Sequence, residues 1–185
     1  LIYNYFKDMK RIVIIFAMLL SMTAVCFGQY STTEGDAKPL KEGGDLVVTF
    51  DFEGATFDKS QALSDKYENL TSLVSKVPAN FKSGFSETSK KSKIVDNASD
   101  AKYDVNIKVT NMDLYFKVMS VVPGNVTKVW ATITIKDIAT GELICTIDVD
   151  ECAGERDFTI DDSFAKCFVR LGEDFGTIVK KGKAK

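Results

Sequence analysis

A chain of 185 residues with 45% apolar and 27% charged side chains has the composition of about one globular domain, long enough to bury a core. It contains no histidine, which excludes Ser-His-Asp and Cys-His catalysis and HExxH metal sites and removes the commonest pH switch. No stretch reads GxGxxG, or GxxxxGK followed by Ser or Thr, so the glycine-rich loops that cradle phosphates are missing and nucleotide chemistry is not expected.

The first segment has the order of a secretory leader. Lys10 and Arg11 precede an unbroken apolar run, Ile12 to Leu20, and small or polar residues follow through Gly28 and Gln29. Met9 opens this pattern, so residues 1–28 read as an upstream extension plus signal peptide. The run is shorter than the about 20 apolar residues of a spanning helix, and no transmembrane span is expected in the mature chain. Cleavage after Gly28 would release a chain starting at Gln29, whereas lipidation of Cys26 would anchor it. Cleavage is favoured, because Val25 stands where a lipobox needs a small residue. Loss of residues 1–28 takes three of the 24 basic and one of the 26 acidic side chains, moving the net charge from −2 to −4. The remaining lysines are scattered among acids, so no nucleic-acid footprint is expected. The clusters Lys90-Lys91-Ser92-Lys93 and Lys180-Lys181-Gly182-Lys183 read as helix ends, where cations suit the dipole.

Residues 29–44 lack apolar periodicity and read as a flexible tether, with a single folded domain expected over 45–185. Leu46, Val48, Phe50 and Phe52 alternate with more polar neighbours, as in a strand with one buried face. Residues 57–75 show mixed periodicity and read as an irregular insertion. Pro78 followed by Phe81 and Phe85 predicts a helix with the proline in its first turn, running towards Lys91. Lys93-Ile94-Val95 reads as a short strand.

Tyr103, Val105, Ile107 and Val109 alternate, and the pattern slips by one residue before Met112, Leu114, Phe116 and Val118, which predicts a bulge at Thr110-Asn111. A turn at Pro123-Gly124-Asn125 leads to a strand marked by Val129, Ala131, Ile133 and Ile135. A second turn at Ala139-Thr140-Gly141 leads to another marked by Leu143, Cys145, Ile147 and Val149. The last element is a helix: Thr159 and Asp162 form an acidic capping box, Phe164, Cys167, Phe168, Leu171, Phe175 and Ile178 follow at helical spacing, and Gly182 ends it. The expected architecture is α+β: two layers, with a mostly antiparallel sheet of four to five strands carrying one middle helix and one long C-terminal helix.

Three cysteines lie beyond the leader: Cys145, Cys152 and Cys167. An odd number leaves one unpaired. A disulfide between Cys145 on a strand and Cys167 on a helix is one geometry the pattern permits. Equally, Cys145 beside Ile147 and Val149, and Cys167 among Phe164, Phe168 and Leu171, read as small buried hydrophobes. A catalytic thiol would lack the usual histidine partner.

The acids Asp148, Asp150, Glu151, Asp157, Asp161 and Asp162 invite a calcium reading. An EF-hand loop counted from Asp148 would need Gly and Glu where Ala153 and Thr159 stand, so solvated acids beside a helix N-terminus are the favoured reading. Asp51 with Glu53, and Asp148 with Asp150, share strand faces and read as surface before catalysis. No cofactor or metal is expected. Trp130 shares a strand face with Lys128, Thr132, Thr134 and Lys136, opposite the apolar face, and Tyr115 similarly opposes Leu114 and Phe116. If these strands pair, an aromatic patch with flanking lysines forms on the outer face, an anchor for a protein or glycan. The alternative is that residues 57–75 or a helix cover Trp130, leaving it as ordinary packing.

The stretch Ala101-Lys102-Tyr103-Asp104-Val105, the Thr140-Gly141-Glu142 turn and the run from Phe158 to Lys181 resemble a group of small uncharacterised exported proteins of Gram-negative gut bacteria, over roughly residues 77–182. More distantly, the strand Val129 to Asp137, the Thr-Gly-Glu turn and the closing helix are similar to envelope lipoproteins with strand-helix domains, such as accessory proteins of secretion. The resemblance implies a periplasmic or envelope location and non-enzymatic assembly or binding, and carries over no functional residue. The expected function is thus an envelope-associated binding or assembly module, soluble in preference to lipid-anchored. The alternative is a carboxylate-based hydrolase of envelope glycans, for which a deep pocket with two convergent acids would speak. Oligomeric state is left open.

Overall fold

The computed structural model describes residues 29–67, 69–117 and 124–184. These residues form one seven-stranded sheet: β1 (Gln29–Gly35), β2 (Leu46–Asp51), β3 (Thr56–Phe57), β4 (Gln61–Ala62), β5 (Tyr103–Lys117), β6 (Gly124–Asp137) and β7 (Leu143–Ala153). The helices are a single turn, α1 (Leu63–Lys66), and two long ones, α2 (Leu70–Thr88) and α3 (Ile160–Lys181). Strands β1, β7, β6 and β5 are successive antiparallel neighbours. Both β2 and β3 run parallel to β5, alongside successive stretches of it, and β4 folds back on β3. The fold is α+β and mostly antiparallel, with a middle and a C-terminal helix on the sheet, but its strand count exceeds the expected four to five.

The extra strands escape sequence patterning for physical reasons. Strand β1, QYSTTEG, buries only Tyr30, so an edge strand rich in Thr and Ser shows no apolar alternation. Residues 29–44, read as a tether, are instead anchored. Gln29–Gly35 pairs with β7, a 3-10 turn spans Lys38–Glu42, and Ala37 and Leu40 enter the core. Strands β3 and β4 are two residues each, below the length at which a period of two is visible.

One face of the sheet is the core. Val105, Ile107, Val109, Ile133, Ile135, Cys145 and Ile147 are all fully buried there, and α2 and α3 cover them. Phe50 of β2 meets Phe81 of α2 and Phe168 of α3 edge-on, at centroid distances of 5.3 and 6.1 Å. The predicted slip in β5 is a bulge: pairing passes from Val109 opposite Ala131 to Asn111 opposite Trp130, leaving Thr110 as the extra residue. The same apolar face therefore continues as Met112, which is fully buried.

The middle helix corrects a second expectation. Pro78 lies in the interior of α2, about two turns beyond its start at Leu70, and not in its first turn. The buried set Leu73, Val77, Phe81 and Phe85 runs through the proline at spacings of four, so packing on α3 overrides the loss of one helical N–H at Pro78. Gly84, which weakens a helix by propensity, is required by this packing. A Cβ at Gly84 would stand 1.9 Å from the Val169 carbonyl oxygen, and one at Gly172 would stand 2.2 Å from that of Phe81. The two helices thus cross backbone to backbone. Helix α3 begins as its sequence dictates: the Thr159 Oγ1 accepts from the Asp162 N–H at 3.0 Å, and Gly182 closes it in the left-handed conformation, φ 66°. Among the described residues no helix is long and apolar enough to cross a membrane.

Candidate binding face

The sheet face away from α2 and α3 is polar and half-buried, and its most irregular part surrounds Trp130. Three backbone devices meet there. On one side is the β5 bulge at Thr110, whose Oγ1 donates to the Trp130 carbonyl at 3.2 Å. On the other, β6–β7 pairing jumps from Val129 opposite Cys152 to Ala131 opposite Val149, and Glu151 within that jump has φ 68°. Third, the β3–β4 turn holds Asp58 at φ 50° and Lys59 at φ 58°, the left-handed pair of a tight hairpin turn that Asn-Gly usually supplies. Left-handed non-glycine residues cost energy and persist only where the surroundings enforce them.

Asn111 does the enforcing. Its Oδ1 accepts from the Lys59 N–H at 2.8 Å and from Thr56 Oγ1 at 2.9 Å, while the Asp58 N–H bonds the Met112 carbonyl at 2.9 Å. The outcome places the Lys59 ammonium 5.7 Å from the Trp130 ring centroid. Asn111 is only 6% exposed, and its Nδ2 donor has no partner among the described residues.

Two residues along β6, Lys128 repeats the arrangement. Its ammonium lies 5.0 Å from the Tyr115 ring centroid and 2.7 Å from Glu151 Oε1, and Asp113 is its cross-strand neighbour. Partial burial disfavours the Lys128 charge, but the Glu151 carboxylate outweighs it and holds the pKa above the ordinary 10.5. Trp130, Tyr115 and Lys128, singled out from sequence, therefore share one face, each ring beneath a lysine. The helix layer covers the opposite face, and of the 57–75 segment it is Lys59 that reaches over Trp130. Lys59 escapes the sequence reading, and Asn111 and Glu151 enter it in other roles, as part of a bulge and as one of the weighed acids, not as partners of Lys59 and Lys128. The turn geometry that delivers Lys59 has no pattern of its own.

Among the described residues Cys145, Cys152 and Cys167 are buried free thiols. Cys145 lies on β7 opposite Ile135 and Gly35, whereas Cys167 Sγ contacts the Cys152 carbonyl at 3.4 Å. The helix cysteine is thus brought to Cys152 and not to Cys145, because the β7 bulge turns Cys152 inwards. Burial, then the charge of Asp36, pushes Cys145 up to about 11. Burial and then the neighbouring Cys152 thiol raise Cys167 well above its ordinary 9.0. All of this favours neutral thiols. Beside them, the buried Tyr30 hydroxyl donates to Asp174 Oδ2 at 3.2 Å, tying β1 to α3.

Among the described residues no cluster of acids and cysteines has the form of a metal site. Asp157 pairs with Lys166 at 2.6 Å and accepts the Phe158 N–H, which together hold it below the usual carboxylate range. Asp148 accepts from Thr132 Oγ1 at 3.1 Å on the open face, and Asp51 accepts the Glu53 N–H at 2.8 Å. A cavity beside the ends of the two long helices contains lysines and no acid, and another between β2 and α2 contains Asp96 as its one acid. Neither supplies the two convergent carboxylates that glycoside hydrolysis needs. Cys26 and the segment expected to be a leader lie outside the described residues.

No family model matches the chain, and no curated protein matches it. Solved structures do. A PelC dodecamer from Paraburkholderia phytofirmans is similar at 14% identity and a TM-score of 0.39, over 79% of this chain and 97% of that one. A neuraminyllactose-binding hemagglutinin homolog from Helicobacter pylori is similar at 13% identity and a TM-score of 0.30, over 80% of this chain and 87% of that one. A Xanthomonas campestris protein of the family model DUF330 is similar at 10% identity and a TM-score of 0.39, over 80% of this chain and 91% of that one.

Proposed function

We propose that this chain is a non-enzymatic binding or assembly module of the cell envelope that engages a protein or glycan through the open sheet face around Trp130, Tyr115 and Lys128. The observation that carries the reading is the assembly at Trp130: two bulges and a left-handed hairpin turn converge to seat a lysine over an aromatic ring on the sheet face opposite α2 and α3. Bulges re-aim side chains, and strained backbone kept beside them is characteristic of binding surfaces. Rigid aromatic rings rimmed by cations offer large contact area at low entropic cost. The orphaned Asn111 Nδ2 adds a buried donor at the same place. Export follows from the leader pattern, and cleavage after Gly28 leaves all of β1 in the released chain. The likeness to exported proteins of gut bacteria and to envelope lipoproteins fits this placement.

Crosslinked capture from envelope extracts, with the chain beginning at Gln29 and a Trp130→Ala variant of verified folding, tests the face. Specific capture that the variant loses is the expected result. Capture that the variant keeps moves the site elsewhere, and absence of specific capture counts against a binding module. The mass of the envelope-isolated chain tests the processing: it should begin at Gln29, and a diacylglyceryl group on Cys26 would contradict release.

A further inference from the structure

The two lysine clusters that read separately as helix ends come together in space. The C-terminal ends of α2 and α3 converge on the 3-10 turn Lys38–Glu42, and a cavity of about 180 Å³ opens between them. Gly182 permits the approach, since a Cβ there would stand 3.1 Å from Lys38 Cα and Lys41 Cβ. Leu40 and Val179, both buried, give the cavity apolar walls, and Lys41, Lys90, Lys91 and Lys180 line it with no acid among them. Ser92 lines it as well; it is 3% exposed and its hydroxyl has no hydrogen-bond partner among the described residues.

We propose that this corner is a binding site for a small organic anion, a carboxylate carried on a compact hydrocarbon or aromatic body. Helix ends alone do not account for it. Each C-terminus carries about half a negative charge, and Lys90 already answers that of α2 by donating to the Ser86 carbonyl at 3.1 Å. Lys41, Lys91 and Lys180 have no ion-pair partner among the described residues. They surround apolar walls in a chain that is otherwise acidic. A carboxylate would neutralise this charge and take a hydrogen bond from the stranded Ser92 hydroxyl, relieving the cost of a buried unpaired donor. The volume sets the size of the body: a cavity of about 150 Å³ holds benzene, so this one fits about six carbons. The site belongs to the helix layer and is independent of the Trp130 face.

Calorimetric titration of the purified full chain with hexanoate, hexanol and inorganic phosphate tests the proposal. Hexanoate should bind saturably, at least about tenfold tighter than hexanol, and more weakly as salt screens the lysines. The Lys41→Gln/Lys91→Gln double variant should lose about tenfold in hexanoate affinity with an unchanged melting temperature. Ser92→Ala should weaken hexanoate while leaving hexanol unaffected. No saturable hexanoate binding, or hexanol binding as tightly as hexanoate, would overturn the proposal. Phosphate matching hexanoate would also overturn it, reducing the corner to a cluster of cations.

Discussion

The two faces of the β5–β6–β7 sheet are built from alternate residues of the same strands, yet they are organised by different forces. On the helix-covered face Ile107, Ile133 and Ile147 lie in line across the three strands, all fully buried and positioned by packing alone. On the open face Lys108, Thr132 and Asp148 align in the same way, but packing fixes little there. Side chains are instead aimed by bulges, a strained turn and hydrogen bonds to Asn111. Substitutions on the covered face will therefore register as stability, and those on the open face as recognition.

The harshest way to break the covered face is to push its helices apart. Gly172→Val places a side chain against the Phe81 carbonyl, where even a Cβ would stand at 2.2 Å, and should cost about 3 kcal/mol or more in urea unfolding. Next, Ile133→Ala should cost about 2–5 kcal/mol, whereas Trp130→Ala on the open face should cost about 1 kcal/mol despite removing the larger side chain. Equal losses would mean that Trp130 is core. Asn111→Ala tests the open face itself: it strands the Lys59 N–H and leaves Thr56 Oγ1 with the Thr110 carbonyl alone, should cost about 1–2 kcal/mol, and should shift Trp130 fluorescence as Lys59 leaves the ring.

A weaker effect should emerge at alkaline pH. Cys145 titrates near 9.0 when unfolded and near 11 when folded. Below pH 9 both states hold the proton and the contribution is complete; between pH 9 and 11 only the unfolded chain releases it, so stability falls as pH rises. Tyr67, raised from 10.0 to about 12 chiefly by burial, pulls in the same direction at higher pH. Cys145→Ala should flatten the decline between pH 9 and 11 in a series of urea unfolding curves.

Legibility in the sequence follows the same division. Strands β5, β6 and β7 and helix α3 have one face in the core and so carry their periodicity openly, caps included. The Thr110 bulge is legible because it shifts that periodicity. Strand β1 is not, since Tyr30 is its one buried residue. The start of α2 is misread because proline is a start signal in most contexts, whereas here Leu73 and Val77 extend the buried face upstream of Pro78. Of the open face, Trp130, Tyr115 and Lys128 are readable as the polar side of patterned strands. Lys59 is not, because a hairpin of two-residue strands places it. The convergence of two lysine clusters at Ser92 is invisible for a similar reason: helix ends far apart in sequence meet only after α2 and α3 cross.

Trp130 is the chain's one tryptophan, so its emission reports directly on the face assigned to binding. Titration with a partner captured from the envelope should change that emission saturably and with the same midpoint as binding. Lys59→Ala, which removes the cation above the ring, should weaken both together. Undiminished binding with Trp130 emission unchanged would contradict binding through this face, and would place the partner on another surface of the molecule.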